Sequence, residues 1–272
     1  MVPSTTASLH DLGFGNTLAG ISDFCPDIDS RAVRVGGPKT LDVETVVSLK
    51  PDLVIANKEE NSRADLEAMA EAGLRVWITF PTTVRASLDD LWSIARLFRS
   101  QPAVQALTLL EKSVEWAKMA AASQSLTRCF VPIWQEQTPE GGWWMTFNGS
   151  TYPGDLLSLF NVENVFADRQ RRYPLRADLG LGAPEPPGER DTRYPRVTLD
   201  EIIAAAPEII LLPDEPYPYT QQHVFEAARI FADTPAARAG RIYALDGRLL
   251  MWHGTYLARS LEELPAFLVH SS

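Results

Sequence analysis

The sequence predicts an α/β protein that consists of two related lobes joined by one long helix. Three observations predict it: short aliphatic runs alternate with amphipathic helical stretches, one pattern occurs twice, and a long amphipathic stretch lies between the two copies. The chain has 272 residues, of which 45% are apolar, so it can fill two hydrophobic cores of ordinary size.

The repeated pattern is a short helix, a proline and a buried strand. It is written VETVVSLKPDLVIA around Pro51 and LDEIIAAAPEIILL around Pro207. Because proline lacks an N–H and clashes with the preceding turn, each proline is expected to end its helix. The aliphatic runs 53–56 and 209–212 then predict buried parallel strands. Both lobes are therefore expected to contain the same helix and strand in the same order.

Each copy continues with a further helix and a further strand. The first copy predicts a helix over 62–72, a C-terminal cap at Gly73 and a strand RVWITF. The second predicts a helix over 220–231, a turn at Gly240 and a strand RIYAL. This continuation extends the relationship from a short motif to most of each lobe.

The two lobes are expected to be connected by a helix over 102–123, where apolar residues recur every three or four positions. At 1.5 Å per residue its length is about 33 Å, enough to run along both lobes as a rigid connector. The predicted boundaries are 1–100 for the first lobe, 101–125 for the helix and 126–272 for the second lobe. Residues 175–193 show no periodicity and predict a long surface loop.

Composition excludes several classes of protein. The net charge of -10 and the pI near 4.9 disfavour nucleic acid as a partner. Aliphatic runs of about five residues are far shorter than the roughly 20 that span a bilayer. The first residues have neither the basic nor the apolar segment of a secretory signal. Cys25 and Cys129 do not form a CxxC pair, so we expect two buried thiols, with a disulfide as the alternative.

The motifs of common enzymes are not found in the sequence. It contains no GxxxxGK[ST] loop, no GxGxxG after a strand, no HExxH and no GxSxG elbow. The four histidines are scattered along the chain, which leaves at most one or two for any site, and no spaced His/Cys metal set is found. We therefore expect a protein without catalytic residues, resident cofactor or bound structural metal.

Candidate ligand-binding residues lie in the loops that follow the predicted strands, because open α/β sheets bind ligands at the carboxyl ends of their strands. Aromatic side chains gathered there suit a large, flat, partly apolar ligand. The candidates are Ser4, Thr5, Asn57, Lys58, Glu59 and Phe80 in the first lobe, and Trp134, Trp144, Glu215, Tyr217, Tyr219, Trp252 and His253 in the second.

Some of these residues have a structural alternative. Trp143 and Trp144 are adjacent, so in a strand at most one of them faces a given cleft. His253 can cap or pack instead of binding, and Lys58 can belong to a solvated loop. Outside the loops, Trp92 and Trp116 lie on predicted helices and are expected in the core.

A series of motifs in order along the chain resembles a known family. The motifs are VPSTT…LG, RVGG, LDVETVVSLKPDLVIA, GDLLSLFNVENVFAD, YPRVTLDEIIAAAPEIILL and LDGRLLMWHGTYLARSLEEL. Together they resemble the helical-backbone metal receptors, the substrate-binding proteins of ATP-binding-cassette importers for vitamin B12, ferric siderophores and haem. The resemblance covers essentially the whole chain.

The resemblance implies a class III periplasmic-binding-protein fold that holds a metal chelate in the cleft between two lobes. The chelate is the transported ligand and the permease of the importer is the partner. Members similar to the cobalamin receptor use one surface carboxylate on each lobe to meet permease arginines. The matching positions are Glu44 and Asp200, with Glu201 as an alternative and ordinary surface acids as the competing interpretation.

Two features depart from the family pattern. Members usually begin about one strand earlier, with an apolar RIVSL-type segment, so the first-lobe sheet is expected to be short of a central strand. The loop NKEEN also does not match the aromatic, glycine-rich loop of cobalamin receptors. The resemblance implies a location outside the cytoplasm. Because no secretory signal is found, two alternatives stay open: a cytosolic protein or enzyme that handles corrinoids or tetrapyrroles, and a signal-less ligand sensor.

Overall fold

The computed structural model describes residues 1–27, 31–138 and 141–268, and the chain divides into two compact units. The first unit contains Met1–Lys112 and the returning segment His253–Ala258. The second contains Ser113–Trp252 and the chain from Arg259 onward. The division between the units falls inside the long helix Gln101–Ala121, which confirms the helix expected over 102–123. No helix among the described residues is long and apolar enough to cross a membrane.

The first unit is built from short parallel strands and flanking helices. Strand β1 pairs in parallel with β2 and β5 pairs in parallel with β6, whereas β3 and β4 are antiparallel. The helices are α1 (Pro3–Asp11), α2 (Val43–Ser48), α3 (Arg63–Glu71), α4 (Val84–Leu97) and α5 (Gln101–Ala121), and the strands are β1 (Gly20–Ile21), β2 (Val33–Arg34), β3 (Gly36–Gly37), β4 (Thr40–Leu41), β5 (Val54–Asn57) and β6 (Val76–Thr79).

The second unit has a four-stranded parallel sheet of order β10-β7-β12-β13 and a three-stranded antiparallel sheet of order β11-β9-β8. The strands are β7 (Thr127–Phe130), β8 (Trp134–Thr138), β9 (Gly141–Met145), β10 (Val162–Asn164), β11 (Arg196–Thr198), β12 (Ile209–Pro213) and β13 (Ile242–Leu245). The helices are α6 (Tyr152–Ser158), α7 (Leu175–Asp178), α8 (Leu199–Ala205), α9 (Gln221–Ile230), α10 (Pro235–Arg238), α11 (Arg248–Met251), α12 (Leu257–Glu263) and α13 (Pro265–Leu268).

The repeat predicted from the sequence is present in the backbone. Each proline separates its helix, α2 or α8, from its buried strand, β5 or β12. The residues before the two prolines, Lys50 and Ala206, have φ angles of 48° and 49°. This left-handed conformation is rare for residues other than glycine, and it is common for the residue that ends a helix. The two copies thus end their helices in the same way.

Most of the elements predicted after each repeated strand are also confirmed. Helix α3 follows a Ser62 N-cap and ends before Gly73, whose φ of +87° is typical of a C-terminal glycine. Helix α9 follows Thr220. The strands RVWITF and RIYAL contain β6 and β13. These elements were predictable because their caps and periodicity are local.

Hydrophobic core clusters are present in both units. A core cluster in the second unit includes Phe130, Ile210 and Phe231, and the Phe130 ring meets the Phe231 ring edge-on at 5.9 Å. A cluster in the first unit is formed around Val54 and Met69. Cys25 and Cys129 are both buried and form no disulfide, which confirms the prediction of two buried thiols.

Four sequence predictions about local structure need correction. Residues 4–6, predicted as a strand-end loop, lie inside α1, which begins at Pro3 because proline suits the first helical position. The segment from Trp134 to Met145, also predicted as a loop, contributes the antiparallel strands β8 and β9. Trp116 is 61% exposed, because it lies on an outward face of α5. The predicted loop 175–193 begins with α7.

Candidate functional site

The loop after β5 in the first unit is held by two asparagines. The backbone N–H of Glu59 donates to Asn57 Oδ1 at 2.8 Å, and the N–H of Asn57 donates to Asn61 Oδ1 at 2.8 Å. Lys58 is exposed and its Nζ lies 4.9 Å from the centre of the Phe80 ring. The Glu59 carbonyl accepts a hydrogen bond from Lys39 Nζ. Buried Asn57 therefore shapes the loop, and Lys58 with Phe80 supplies its exposed cation and ring.

His253, predicted in the second lobe, lies in the first unit, where Ser4 of α1 contacts it. Ser4 Oγ lies 3.4 Å from His253 Nε2, and both Ser4 and Thr5 are buried. The N–H of Gly254 donates to Ser87 Oγ at 2.7 Å. Burial lowers the pKa of His253 to about 4, so the imidazole is neutral near pH 7.

Beside this histidine lies a small cavity of about 20 Å³, lined by Thr5, Asp90 and His253 among others. A cavity of this size has room for about one water molecule. Burial and the nearby charge of Asp89 raise the pKa of Asp90 to about 6. The contacts of His253 and Gly254 fix the returning segment to the first unit, and the cavity beside them is too small to hold a large ligand.

An aromatic cluster in the second unit follows β7 and β12, and consists of Trp134, Tyr217, Tyr219 and His223. The Trp134 and Tyr217 rings meet edge-on at 5.5 Å, and the Tyr217 and Tyr219 rings lie 4.6 Å apart. His223 packs edge-on against both tyrosines. Trp134 is 40% exposed, so the cluster presents an indole face to solvent.

Two glutamine contacts extend the aromatic cluster into the core. Gln135 Nε2 donates to the Tyr217 hydroxyl at 3.2 Å, and Trp144 Nε1 donates to Gln135 Oε1 at 3.2 Å. Trp144 is only 4% exposed and packs against Phe231. The role of Trp144 as a ligand contact stays a prediction. In this structure the side chain links the cluster, through Gln135, to the core residue Phe231.

The Tyr219 hydroxyl of the cluster is buried and has no hydrogen-bond partner among the described residues. Burial raises the pKa of Tyr219, so the hydroxyl keeps its proton. An unsatisfied buried polar group costs about 1–3 kcal/mol, which favours a further partner at this position. Tyr219 and Trp144 also line a cavity of about 200 Å³.

The remaining second-unit candidates, Glu215 and Trp252, lie in a charged cluster with Arg248 and Asp246. Burial raises the pKa of Glu215, and a hydrogen bond from the Trp252 side chain opposes this shift. Arg248 lies 5.7 Å from the centre of the Trp252 ring and forms two parallel hydrogen bonds with Asp246 at 2.8 and 2.7 Å. Glu215 and Trp252 therefore form one polar, partly exposed surface.

Sequence reasoning missed His223, Gln135 and Arg248 as neighbours of these candidates. His223 had a local signal, because it occupies the third helical position after Thr220 and its Nδ1 accepts from the Thr220 N–H at 2.9 Å. Gln135 and Arg248 had no signal, since their contacts depend on tertiary structure.

The paired acids lie on equivalent helix surfaces. Glu44 and Asp200 are both exposed, and each occupies the first turn of its short helix. Glu201, the alternative to Asp200, is committed to a capping box: its Oε2 accepts from the Thr198 N–H at 2.9 Å. Asp200 is thus the better placed of the two for an external partner. Across the described ranges, no three His, Cys, Asp or Glu side chains converge as a metal site.

Comparison with known proteins identifies the type of protein. Residues 2–249 match the family described as periplasmic binding protein. The vitamin B12-binding protein of Yersinia pestis (strain Pestoides F) is 26% identical over 175 residues, which are 63% of this chain and 60% of that protein. The chain therefore matches less than two thirds of the length of this curated relative.

Solved structures show the same fold. The periplasmic vitamin B12-binding protein BtuF of Vibrio cholerae is similar with a TM-score of 0.75 and 18% identity, over 98% of this chain and 94% of that one. The periplasmic haem-binding protein HutB of Vibrio cholerae has a TM-score of 0.71 and 17% identity, over 97% and 95%. The α/β fold is that of the class III periplasmic binding proteins.

Proposed function

The chain belongs to the periplasmic binding protein family, and from this premise we propose that it binds a metal chelate outside the cytoplasm for an ATP-binding-cassette importer. Family membership makes it a binding protein and not an enzyme. The proposal concerns the ligand, the importer and the location.

The observation that carries the proposal is the aromatic cluster that follows the carboxyl ends of β7 and β12. Trp134 and Tyr217 offer partly exposed rings, and Tyr219 adds a buried hydroxyl that has no hydrogen-bond partner among the described residues. Rings with a few polar groups suit a large, flat, partly apolar ligand. The adjacent Glu215 and Trp252 can accept and donate hydrogen bonds to polar groups at its edge.

Among metal chelates, a corrinoid is the first candidate. The curated relative and one of the similar structures bind vitamin B12, and a corrin offers both a flat ring and amide side chains for hydrogen bonds. Haem and ferric siderophores are the other members of the class, and a relative of the same fold binds haem.

The ligand class is tested by titrating the purified protein with cyanocobalamin, haemin and several ferric siderophores while following tryptophan fluorescence. We expect saturable quenching by one of them, because Trp134 and Trp252 lie at the proposed contacts. A response to none of these compounds contradicts the chelate proposal.

Two substitutions locate the binding residues. We expect Trp252→Ala to weaken chelate binding at least about tenfold, a loss of about 1.4 kcal/mol, through lost ring contact and the lost hydrogen bond to Glu215. Trp116→Ala is the matched control, because Trp116 is 61% exposed on α5 and outside the strand-end loops. Equal effects of the two substitutions would remove Trp252 from the site.

Glu44 and Asp200 are proposed as contacts to arginines of the importer's transmembrane subunits. Both carboxylates are exposed at equivalent helix starts, which supports one contact from each unit. Exposed ion pairs contribute about 0–1 kcal/mol each, so they orient the complex more than they hold it.

Charge reversal tests this docking proposal. Glu44→Lys and Asp200→Lys should each weaken binding to the transmembrane subunits in nanodiscs by about fivefold, with more effect at low salt, while chelate affinity stays unchanged. Glu71→Lys and Glu262→Lys are controls, because both acids are exposed on other helices. If chelate affinity falls instead, the acids belong to the ligand site.

A further inference from the structure

The adjacent tryptophans of β9 differ in their hydrogen bonding. Trp144 packs against Phe231 and donates to Gln135 below the aromatic cluster. Trp143 is also buried, at 5% exposed, but its Nε1–H has no acceptor among the described residues. Successive residues of a strand point to opposite faces of a sheet, so this indole lies on the face of β9 away from the aromatic cluster.

Two arginines lie beside the Trp143 indole. Arg196 is on the neighbouring strand β11, and its Cζ lies 5.7 Å from the centre of the Trp143 ring. Burial lowers the pKa of Arg196, and repulsion by the nearby charge of Arg171 lowers it further. Both arginines are half-buried. Two positive charges therefore lie close together in a partly desolvated place, in a chain whose net charge is -10.

The carboxylates of this region are engaged by other groups. Asp178 is buried, accepts from the backbone N–H of Arg196 at 2.7 Å and pairs with the Arg169 guanidinium at 3.2 Å. Its charge offsets only part of the shift at Arg196, whose pKa stays lowered. Asp191 accepts two hydrogen bonds from the Arg193 guanidinium, at 3.0 and 2.5 Å.

Arg171 is held in place without a carboxylate. Its Cζ lies 4.3 Å from the centre of the Tyr173 ring, and the Cζ of Arg190 lies 4.2 Å from the same ring. Its Nε is buried and has no hydrogen-bond partner in the described part of the chain. Within those same residues, neither Arg171 nor Arg196 forms an ion pair. Buried donors are usually satisfied in native proteins, so these donors indicate a missing acceptor.

The groups that converge here are all donors, and two of them are cations. A carboxylate or a phosphate accepts two parallel hydrogen bonds from one guanidinium, and its negative charge compensates the repulsion between two of them. A neutral molecule would leave that repulsion in place, and a metal cation would add to it. We propose that Trp143, Arg171 and Arg196 form a binding site for an oxyanion group, either a carboxylate or a phosphate.

This oxyanion site is separate from the aromatic cluster, because Trp143 and Trp144 point to opposite faces of β9. The oxyanion has two sources: a free small anion, or an acidic group carried by the chelate. Haem carries carboxylates and a corrinoid nucleotide carries a phosphate. Only the second source rests on the proposed chelate function, so the two sources are tested separately.

Free anions are tested by thermal unfolding in low-millimolar citrate or phosphate, against sodium chloride of equal ionic strength. We expect a saturable rise of Tm, because a ligand that binds only the folded state stabilises it. Arg171→Gln and Arg196→Gln should each weaken anion binding at least about tenfold. Arg229→Gln is the matched control and should not, because Arg229 is an exposed arginine of α9.

A second readout locates the anion in the unsubstituted protein. The NMR spectrum of the ¹⁵N-labelled chain contains one indole N–H signal for each of the seven tryptophans. The signal that disappears in Trp143→Phe should shift on addition of citrate or phosphate, because this N–H gains an acceptor. Without anion, Arg171→Gln should unfold at the same or a higher Tm, since it removes a repulsion, whereas loss of a purely structural arginine would lower the Tm.

An acidic group carried by the chelate is tested with the compound that binds in the fluorescence titration. Arg171→Gln should weaken its binding at least about tenfold, and Arg229→Gln should leave it unchanged. If no chelate binds at all, the chelate proposal fails, and the measurements with citrate and phosphate decide the oxyanion site alone.

Two results would overturn the oxyanion site. The first is an unshifted Trp143 signal in citrate and phosphate, together with equal chelate binding by Arg171→Gln and Arg229→Gln. The second is a rise of Tm that is equal in the unsubstituted protein and all three arginine variants without a shift of the Trp143 signal, because that is the general stabilisation that such salts give.

Discussion

Strands β5 and β12 occupy the same place in the two copies of the repeat, and their surroundings differ. β12 lies inside a four-stranded parallel sheet and every one of its residues is buried. Among the described residues β5 pairs with one strand, and its Ile55 is half-buried beside a groove of about 530 Å³. The same local pattern of helix, proline and strand thus gives similar backbones but different packing, because packing depends on neighbours from other parts of the chain.

The loops after the two strands differ as well. The loop after β5 is polar and is held by Asn57 and Asn61, whereas the loop after β12 carries Tyr217 and Tyr219 in an aromatic cluster. The repeat therefore determines the backbone of the helix and strand in both units. The side chains available for ligand binding differ because the loops of the two copies have different sequences.

Core truncation gives the largest expected difference between the copies. Leu211 and Ile55 are equivalent in the repeat, and Leu211 is 0% exposed. Leu211→Ala should lower the free energy of unfolding by about 3–5 kcal/mol, because it leaves a cavity in a closely packed sheet. Ile55→Ala should cost only about 1–2 kcal/mol beside the existing groove. Urea unfolding measures both, and equal costs would show that β5 is packed as tightly as β12.

Acidification should act on His253 and on Glu215 with opposite signs. The pKa of His253 is lowered by burial from 6.5 to about 4, so its contribution to stability is present above pH 6.5 and is lost as the pH falls through 4. At 1.36 kcal/mol per pKa unit the loss is at most about 3 kcal/mol. The pKa of Glu215 is raised above 4.5, so its contribution is present below pH 4.5 and is lost as the pH rises through its folded value.

Two isosteric variants separate these contributions. His253→Gln should flatten the loss of stability between about pH 6.5 and pH 4, and Glu215→Gln should raise the free energy of unfolding near neutral pH. Urea unfolding at a series of pH values measures both, with the unsubstituted protein as the reference. An unchanged slope in His253→Gln would mean that the imidazole is solvated in the folded state.

Backbone substitutions should give the smallest effects, and equal ones. Lys50 and Ala206 share a left-handed conformation, with φ angles of 48° and 49°, which glycine adopts at little cost. Lys50→Gly and Ala206→Gly should each stabilise the protein by about 0.5 kcal/mol, the balance of relieved strain and added chain entropy. Ala204→Gly inside α8 is the control and should destabilise by about 0.5–1 kcal/mol. If one substitution stabilised the protein and the other destabilised it, the two helix ends would not be equivalent.

The sequence predicted the elements whose signals are local. Helix α5 follows from its apolar period, α3 from Ser62 and Gly73, and the two repeated strands from prolines and aliphatic runs. The prediction that Trp116 lies in the core was wrong. The apolar period of a long helix does not specify which of its residues pack against other elements. The sequence placed residues 4–6 in a loop because their helix is polar and weakly amphipathic.

The candidate site was predictable in outline only. Strand-end positions and aromatic composition pointed to Trp134, Tyr217 and Trp252, and the structure places each of them in a partly exposed cluster with charged or aromatic neighbours. Ser4 instead contacts His253 of the returning segment, and Thr5 lines the small cavity beside that histidine. Whether these three residues also touch ligand stays a prediction. Nothing in the local sequence relates α1 to a histidine that lies so far along the chain.

The sequence by itself determined the class of fold, the repeat and the positions where helices end, because these depend on backbone sterics, caps and periodicity within a few residues. Only the tertiary structure decided that β12 is buried, that β5 borders a groove, that Glu201 caps its own helix and that Tyr219 keeps a buried hydroxyl without a partner among the described residues. The physical reason is that burial, hydrogen-bond satisfaction and pKa depend on atoms from distant parts of the chain, which no local pattern specifies.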